Sequence, residues 1–353
     1  MLAKRMQGIE ILRIFAIFMV VLIHSAPEYK NNAETDLAAL ILQSISRAGF
    51  IAFFLISGYF ALNEKITNLK KFYYNRFIAI VIPFIIYAYI HFYMLHFNYG
   101  RAEHALIGFF SLDTISQFLY AVIIGPDFNG SLFVSIHFWF VYWIIGAYLV
   151  APFIGYVIQR IEPAARLKSI LFLLLISWAH LYIGRYFPAA NVIALPYIVN
   201  DWFVYFLIGG LMNGVDLRNY RKYSYPLLFV GYGLTLLLTW LNYDVLSINQ
   251  SPYNIDINMV LSVAGIFMLF YSLKETAFTN WIVKFSKHTY SIYLSHVFIM
   301  YFLSGFTKTA TANATFNALL TAICTFLVAL VFSIVVDNLL VFRLVNRLKL
   351  RKA

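Results

Sequence analysis

Apolar runs of about 18 to 25 residues recur along the chain, each long enough to cross a bilayer as a helix, and short polar segments separate them. Ten such spans are predicted, at about 9–26, 37–62, 76–97, 131–158, 168–184, 197–214, 223–243, 256–273, 289–306 and 314–342. The pattern predicts an all-α, polytopic membrane bundle forming a single domain over residues 1–353. No polar block is long enough for a separate soluble domain. The longest connection, about residues 98–130, is half apolar (ALIGFF, SQFLYAVII). Those runs are too short to cross, which predicts a re-entrant or interfacial segment. No internal repeat is visible, which weighs against an inverted-repeat transporter.

Composition strengthens this reading. The chain is 62% hydrophobic and 12% charged, against roughly a quarter charged in a soluble domain. Its net charge of +11 would suggest nucleic acid as the partner of a soluble protein. Here the charge sorts by loop instead. With both termini cytoplasmic, 20 of the 26 basic residues fall inside, among them Lys4, Arg5, Lys65, Lys70, Lys71, Arg76, Arg166, Arg218, Lys284 and Arg343. The outside segments collect Glu28, Glu34, Asp36, Glu103, Asp113, Asp127, Asp244 and Asp256. The expected partner is therefore the bilayer, with no nucleic acid, and the layout fits a bacterial inner membrane. The first span has no small-residue cleavage site and contains Arg13, so it is expected to be retained. Cys324 has no second cysteine with which to pair, which excludes a disulfide framework and a cysteine metal site.

The first span, EILRIFAIFMVVLIH, carries the most pointed chemistry. Eleven residues separate Arg13 from His24, so on a helix they leave nearly the same face about 16 Å apart along the axis. Ionisable groups at such depth are costly in hydrocarbon and normally face a cavity or a partner. The pair suggests a polar track, although two polar groups on one helix can also cement helices. Arg47, His91, His137, His180, Asp201, His296 and Asp337 lie in or near other spans and must find partners as well. His91 and His96, five apart, do not share a helix face, and no HExxH-like spacing exists, so no metal is expected. His180 is expected to be hydrogen-bonded structure, and Asp337 to neutralise a basic group.

Other segments allow two readings each. FFLISGYF places Ser57 and Gly58 among bulky residues, where small side chains let helices approach closely. HFWFVYWIIGAYLVAP opens on His137, and its Trp139, Tyr142 and Trp143 also suit an interfacial aromatic belt. TYSIYLSH puts Tyr293 and His296 on one helix face, suited to substrate contact or to a hydrogen-bonded helix pair. There is no P-loop, dinucleotide fingerprint or serine-hydrolase elbow.

In this order, the pieces resemble the acyltransferase-3 family of integral membrane acyltransferases. Arg13 and His24 match its first-span signature of a basic residue, ten intervening residues and a histidine. FFLISGYF resembles its second-span motif, and KKFYYNRFIAIVIP the basic approach to its third span, running into Pro83. HFWFVYWIIGAYLVAP, WFVYFLIGGLMNG and TYSIYLSH are similar to its later aromatic, glycine and Tyr-Leu-x-His motifs. One departure is Ala79, where many members carry a second arginine three residues after the one matched by Arg76. Lys70 or Lys71 would then take over its work.

The resemblance implies O-acyl transfer, commonly of acetyl, from cytoplasmic acyl-CoA such as acetyl-CoA to a hydroxyl of an envelope glycan or lipid-linked sugar. It implies His24 and Arg13 as catalytic residues, Arg13 and Arg76 as donor-binding residues, and His137, Trp139, Tyr293 and His296 as substrate contacts. Acetyl-CoA acts as donor substrate, with no metal. Some members carry a fused extracytoplasmic domain; none is read here, so the chain is expected to act alone or with another protein. The rival class is a transporter or exporter of a polysaccharide or small solute, which ten spans and buried charges suit equally well.

Overall fold

A computed structural model describes residues 7–27, 37–97, 108–125, 134–187, 201–248 and 251–350. The terminal and loop charges Lys4, Arg5, Glu28, Lys30, Glu34, Asp36, Arg101, Glu103, Asp127, Arg351 and Lys352 lie outside them, as do the side chains of His96 and Asp201. The described residues are helical with no strand, and each of the ten predicted stretches holds a helix. Seven helices are long and apolar enough to cross a membrane, judged by length and composition: Gln7–Ser25, Leu37–Ala61, Leu69–Leu95, Ile136–Ile158, Pro163–Tyr186, Leu217–Val245 and Ala314–Lys349. The chain is an all-α membrane bundle.

It divides into two compact units. The first comprises Met1–Lys65, Ala151–Lys287 and Asn313–Leu319; the second comprises Ile66–Val150, His288–Ala312 and Leu320–Ala353.

The first unit is built on α1 (Gln7–Ser25), α2 (Leu37–Ser46) and α3 (Ala48–Ala61). The predicted second span is thus α2 and α3, meeting at Arg47, whose own backbone stays helical. Later come α7 (Pro163–Tyr186), α8 (Asp201–Met212), α9 (Ser224–Trp240), α10 (Ile257–Tyr271) and the short α11 (Ala277–Ile282). Pro163 suits the first turn of α7, where its missing N–H would have had no helical acceptor. Helix α1 packs on α3, α3 on α8, and α9 on α10. The α3–α8 contact explains two sequence motifs together. Gly58 lies against the carbonyl of Phe206, and Gly209 against that of Leu55, so a Cβ on either glycine would collide with backbone. Trp202 stacks on Phe54 beside them. Close approach through small residues is how helices gain van der Waals contact in a bilayer.

Just ahead of α10, three backbone carbonyls of residues 252–255 accept hydrogen bonds from side chains. Trp178 Nε1 donates to Ile255 O (2.8 Å), Tyr205 Oη to Asn254 O (2.8 Å) and Asn258 Nδ2 to Pro252 O (2.9 Å). Arg185 pairs with Asp256 at 2.5 Å, with both side chains buried.

The second unit holds α4 (Leu69–Phe92), α5 (Leu112–Ile124), α12 (Thr289–Thr307) and α14 (Phe342–Leu350). It also takes the first part of α6 (Trp139–Ile158) and most of α13 (Ala314–Val336). Asn68 caps α4 by accepting from Lys71 N at 2.9 Å, and Ser111 caps α5 by accepting from Thr114 N. Helix α4 packs on α12 and α14, with Tyr290 Oη donating to Ile80 O and Tyr74 Oη to Leu348 O. The short apolar helix α5 falls in the connection expected to be re-entrant or interfacial. Leu112, Leu119 and Ile123 along it are exposed.

Candidate functional site

Helix α1 is closely enclosed, and the exception is informative. Ile9, Leu12, Ala16, Ile17, Val20, Val21 and Leu22 are all buried. Of its nineteen residues only His24 is exposed, so the apolar sequence around it packs away while the imidazole stays accessible. Near the other end, Arg13 Nη1 lies 3.1 and 3.2 Å from the two carboxylate oxygens of buried Glu10. The guanidinium also covers the Phe60 ring at 5.2 Å and retains 31% exposure. The pairing at i, i+3 was legible in the sequence. It neutralises charge at a depth where a lone carboxylate would be costly.

The region around His24 is held by residues that the sequence did not single out for a role. Gln43, itself buried, donates through Nε2 to Ala26 O (3.2 Å) and Pro27 O (3.0 Å), the carbonyls that follow His24. Its Oε1 accepts from Arg47 Nη2 at 3.2 Å. Arg47 lies over the Tyr253 ring at 4.6 Å. Gln43 and Arg47 are an i, i+4 pair on one helix face, but Tyr253 lies far along the chain and no local spacing announces it.

The second unit gathers the other site candidates. His137 and Tyr293 meet edge to face at 5.9 Å between ring centres, and Tyr293 Oη donates to His137 O. His296 lies 5.3 Å from His137, and its Nδ1 is 2.6 Å from Tyr293 O. His91, 5.0 Å from His137, joins them. All four residues are buried, and Trp139 next to them is half-buried. Despite this concentration of imidazoles, no group of three histidine, cysteine or carboxylate side chains among the described residues is placed to hold a metal ion.

Elsewhere in this unit Arg76 lies over Tyr148 (4.8 Å) and Phe72 (5.3 Å), beside a cavity of about 170 Å³ lined also by Tyr73, Phe77 and Ile145. Asp337 meets the basic partner expected for it. His288 Nδ1 is 2.6 Å from Asp337 Oδ2, while Tyr87 and Ser291 donate to Oδ1. His180, expected to be part of a hydrogen-bonded interior, is exposed on α7.

The chemistry on offer is thus an accessible imidazole at one end of a buried helix and an anchored, partly open guanidinium at the other. Residues 6–337, nearly the whole chain, match the family model described as an acyltransferase domain, Acyl_transf_3. No curated protein and no solved structure matches the chain.

Proposed function

Since the chain belongs to the acyltransferase-3 family and is a membrane acyltransferase, we propose that it moves an acyl group, most simply acetyl, from cytoplasmic acyl-CoA to a sugar hydroxyl of the cell envelope. The observation that carries this reading is the asymmetry of α1, where His24 alone among nineteen residues is exposed. A packed hydrophobic helix that leaves one imidazole open supplies a proton acceptor where a hydroxyl can reach it. Imidazole is suited to this because its ordinary titration range brackets neutral pH.

Arg13 takes the donor end. Its guanidinium is fixed by Glu10 yet keeps accessible N–H groups, which bind phosphate through charge-assisted hydrogen bonds. The axial separation of about 16 Å then lies between the CoA phosphates and the reacting thioester, a gap that the pantetheine arm of CoA exists to bridge. Arg76 carries the same expectation from its own motif: the guanidinium borders a cavity, held by two aromatic rings. The bacterial inner membrane is the setting that the basic, cytoplasmic-side loops favour.

The test is mass spectrometry of envelope glycans from cells carrying wild-type protein, His24→Ala or no protein. An ester-sized mass increment present only with wild type is the expected result, and it identifies the acyl group and acceptor together. Unchanged glycan composition with a fall in the amount exported would replace this reading by that of a transporter.

A further inference from the structure

The reading above leaves one chemical need unmet. Attack on a thioester carbonyl builds negative charge on its oxygen, and donors aimed at that oxygen contribute much of the rate in acyl transfer. Arg13, three helical turns from His24 and bound to Glu10, does not reach an atom that His24 serves. A different cation, Arg47, is tied through Gln43 to the carbonyls that follow His24.

We propose that Arg47 is that donor: its guanidinium binds the carbonyl oxygen of the transferring acyl group while His24 removes the proton of the attacking hydroxyl. This rests on the acyltransferase reading above. The placement is fixed from both sides of His24. Before it, Gly49, two residues after Arg47, lies against α1. A Cβ there would stand 2.6 Å from Ala16 O and 3.0 Å from Val20 N, and Val20 is one turn below His24. After it, Gln43 ties the carbonyls of Ala26 and Pro27 to the Arg47 guanidinium through a single buried amide. Arg47 lies where α2 meets α3 with helical backbone (φ −60°, ψ −26°), so its side chain shares a helix face with Gln43. Tyr253 then supports the guanidinium plane from beneath. Such preorganisation costs no rearrangement at the moment of reaction.

The step balances as follows. The hydroxyl oxygen bonds to the thioester carbon as its proton passes to His24, and the carbonyl electron pair moves onto the oxygen held by Arg47. Collapse of that tetrahedral species breaks the carbon–sulfur bond. CoA leaves as thiolate and takes the proton from the His24 imidazolium, which yields the ester, free CoA thiol and the original imidazole.

The experiment follows acetyl-CoA turnover, as release of CoA thiol, in inside-out envelope vesicles containing wild type, Arg47→Gln, Arg47→Lys, Arg13→Gln or His24→Ala at matched protein amounts. Arg47→Gln is expected to lower kcat about 100-fold with KM for acetyl-CoA within about twofold. Arg47→Lys, which keeps the charge but loses the planar fork, recovers part of the rate, whereas Arg13→Gln chiefly raises KM. Turnover within twofold of wild type in Arg47→Gln, alongside an inactive His24→Ala, overturns the role of Arg47 and leaves the acyltransferase reading intact. Wild-type turnover in His24→Ala overturns that reading and this proposal with it. If Arg47→Gln fails to accumulate, Arg47→Lys decides, since an unchanged rate there excludes bidentate binding. Carbethoxylation of His24 by diethyl pyrocarbonate, read by peptide mass spectrometry, gives a measure independent of turnover. Its pH midpoint shifts on removal of Arg47 and not of Arg13, and an identical midpoint in Arg47→Gln and wild type counts against the contact.

Discussion

Histidines are treated in opposite ways in the two units. In the first, His24 ends a buried helix yet remains accessible, with a glutamine and an arginine arranged around it. In the second, His137 stands about 5 Å from both His91 and His296, with Phe138, Tyr293 and Phe298 against them. The second unit has more imidazoles, and all three of these are buried. In the first unit the imidazole of α1 is exposed. Buried polar side chains in a bilayer protein can hold helices together as well as bind substrate.

The sharpest way to break the contrast is His24→Ala. Glycan acylation should fall by about 10³-fold or more, with the protein still inserted and its melting behaviour little changed, because an exposed side chain contributes little packing. Second in size is Asp337→Ala, which strands His288, Tyr87 and Ser291 together. It should cost about 3 kcal/mol, read as a lower apparent melting temperature in detergent. Activity per folded molecule should stay near wild type; a specific loss of turnover would give this unit a direct part in the chemistry. Arg13→Ala should raise the KM for acetyl-CoA by about 10-fold, and unchanged kinetics would reduce Arg13 to a helix-packing residue. The smallest effect belongs to His296→Gln. It should lose about 1 kcal/mol of stability and keep acylation within about twofold. Acylation lost without any loss of stability would make His296 a substrate contact.

Much of the bundle could be read from the sequence, because a bilayer demands helices and long apolar runs announce them. Seven spans meet that demand by length and composition alone. The meeting of α2 and α3 at Arg47 was not legible: Gln43, Ser44 and Ser46 before it and Gly49 after it are each compatible with an unbroken helix. Glu10 could be assigned to Arg13, since i, i+3 neighbours share a helix face. Tyr253 could not be assigned to Arg47, nor Asp256 to Arg185, because those pairs form only when helices distant in sequence assemble. The glycine motifs sit between these cases. Their small residues implied a close helix contact, but not that Gly58 and Gly209 would serve the same one.

The segment just ahead of α10 bears on how much of this protein a cell keeps. Its carbonyls are taken up by side chains from α7, α8 and α10, and the buried Arg185–Asp256 pair closes its end. Trp178 and Arg185 of α7 and Tyr205 of α8 are distant in sequence from the carbonyls and carboxylate they bind, so the segment is complete only when those helices have assembled. Until then it presents unsatisfied backbone and an unpaired charge, which are features that quality-control proteases act upon. Inherited changes there would thin the population of molecules in the membrane without slowing those that survive.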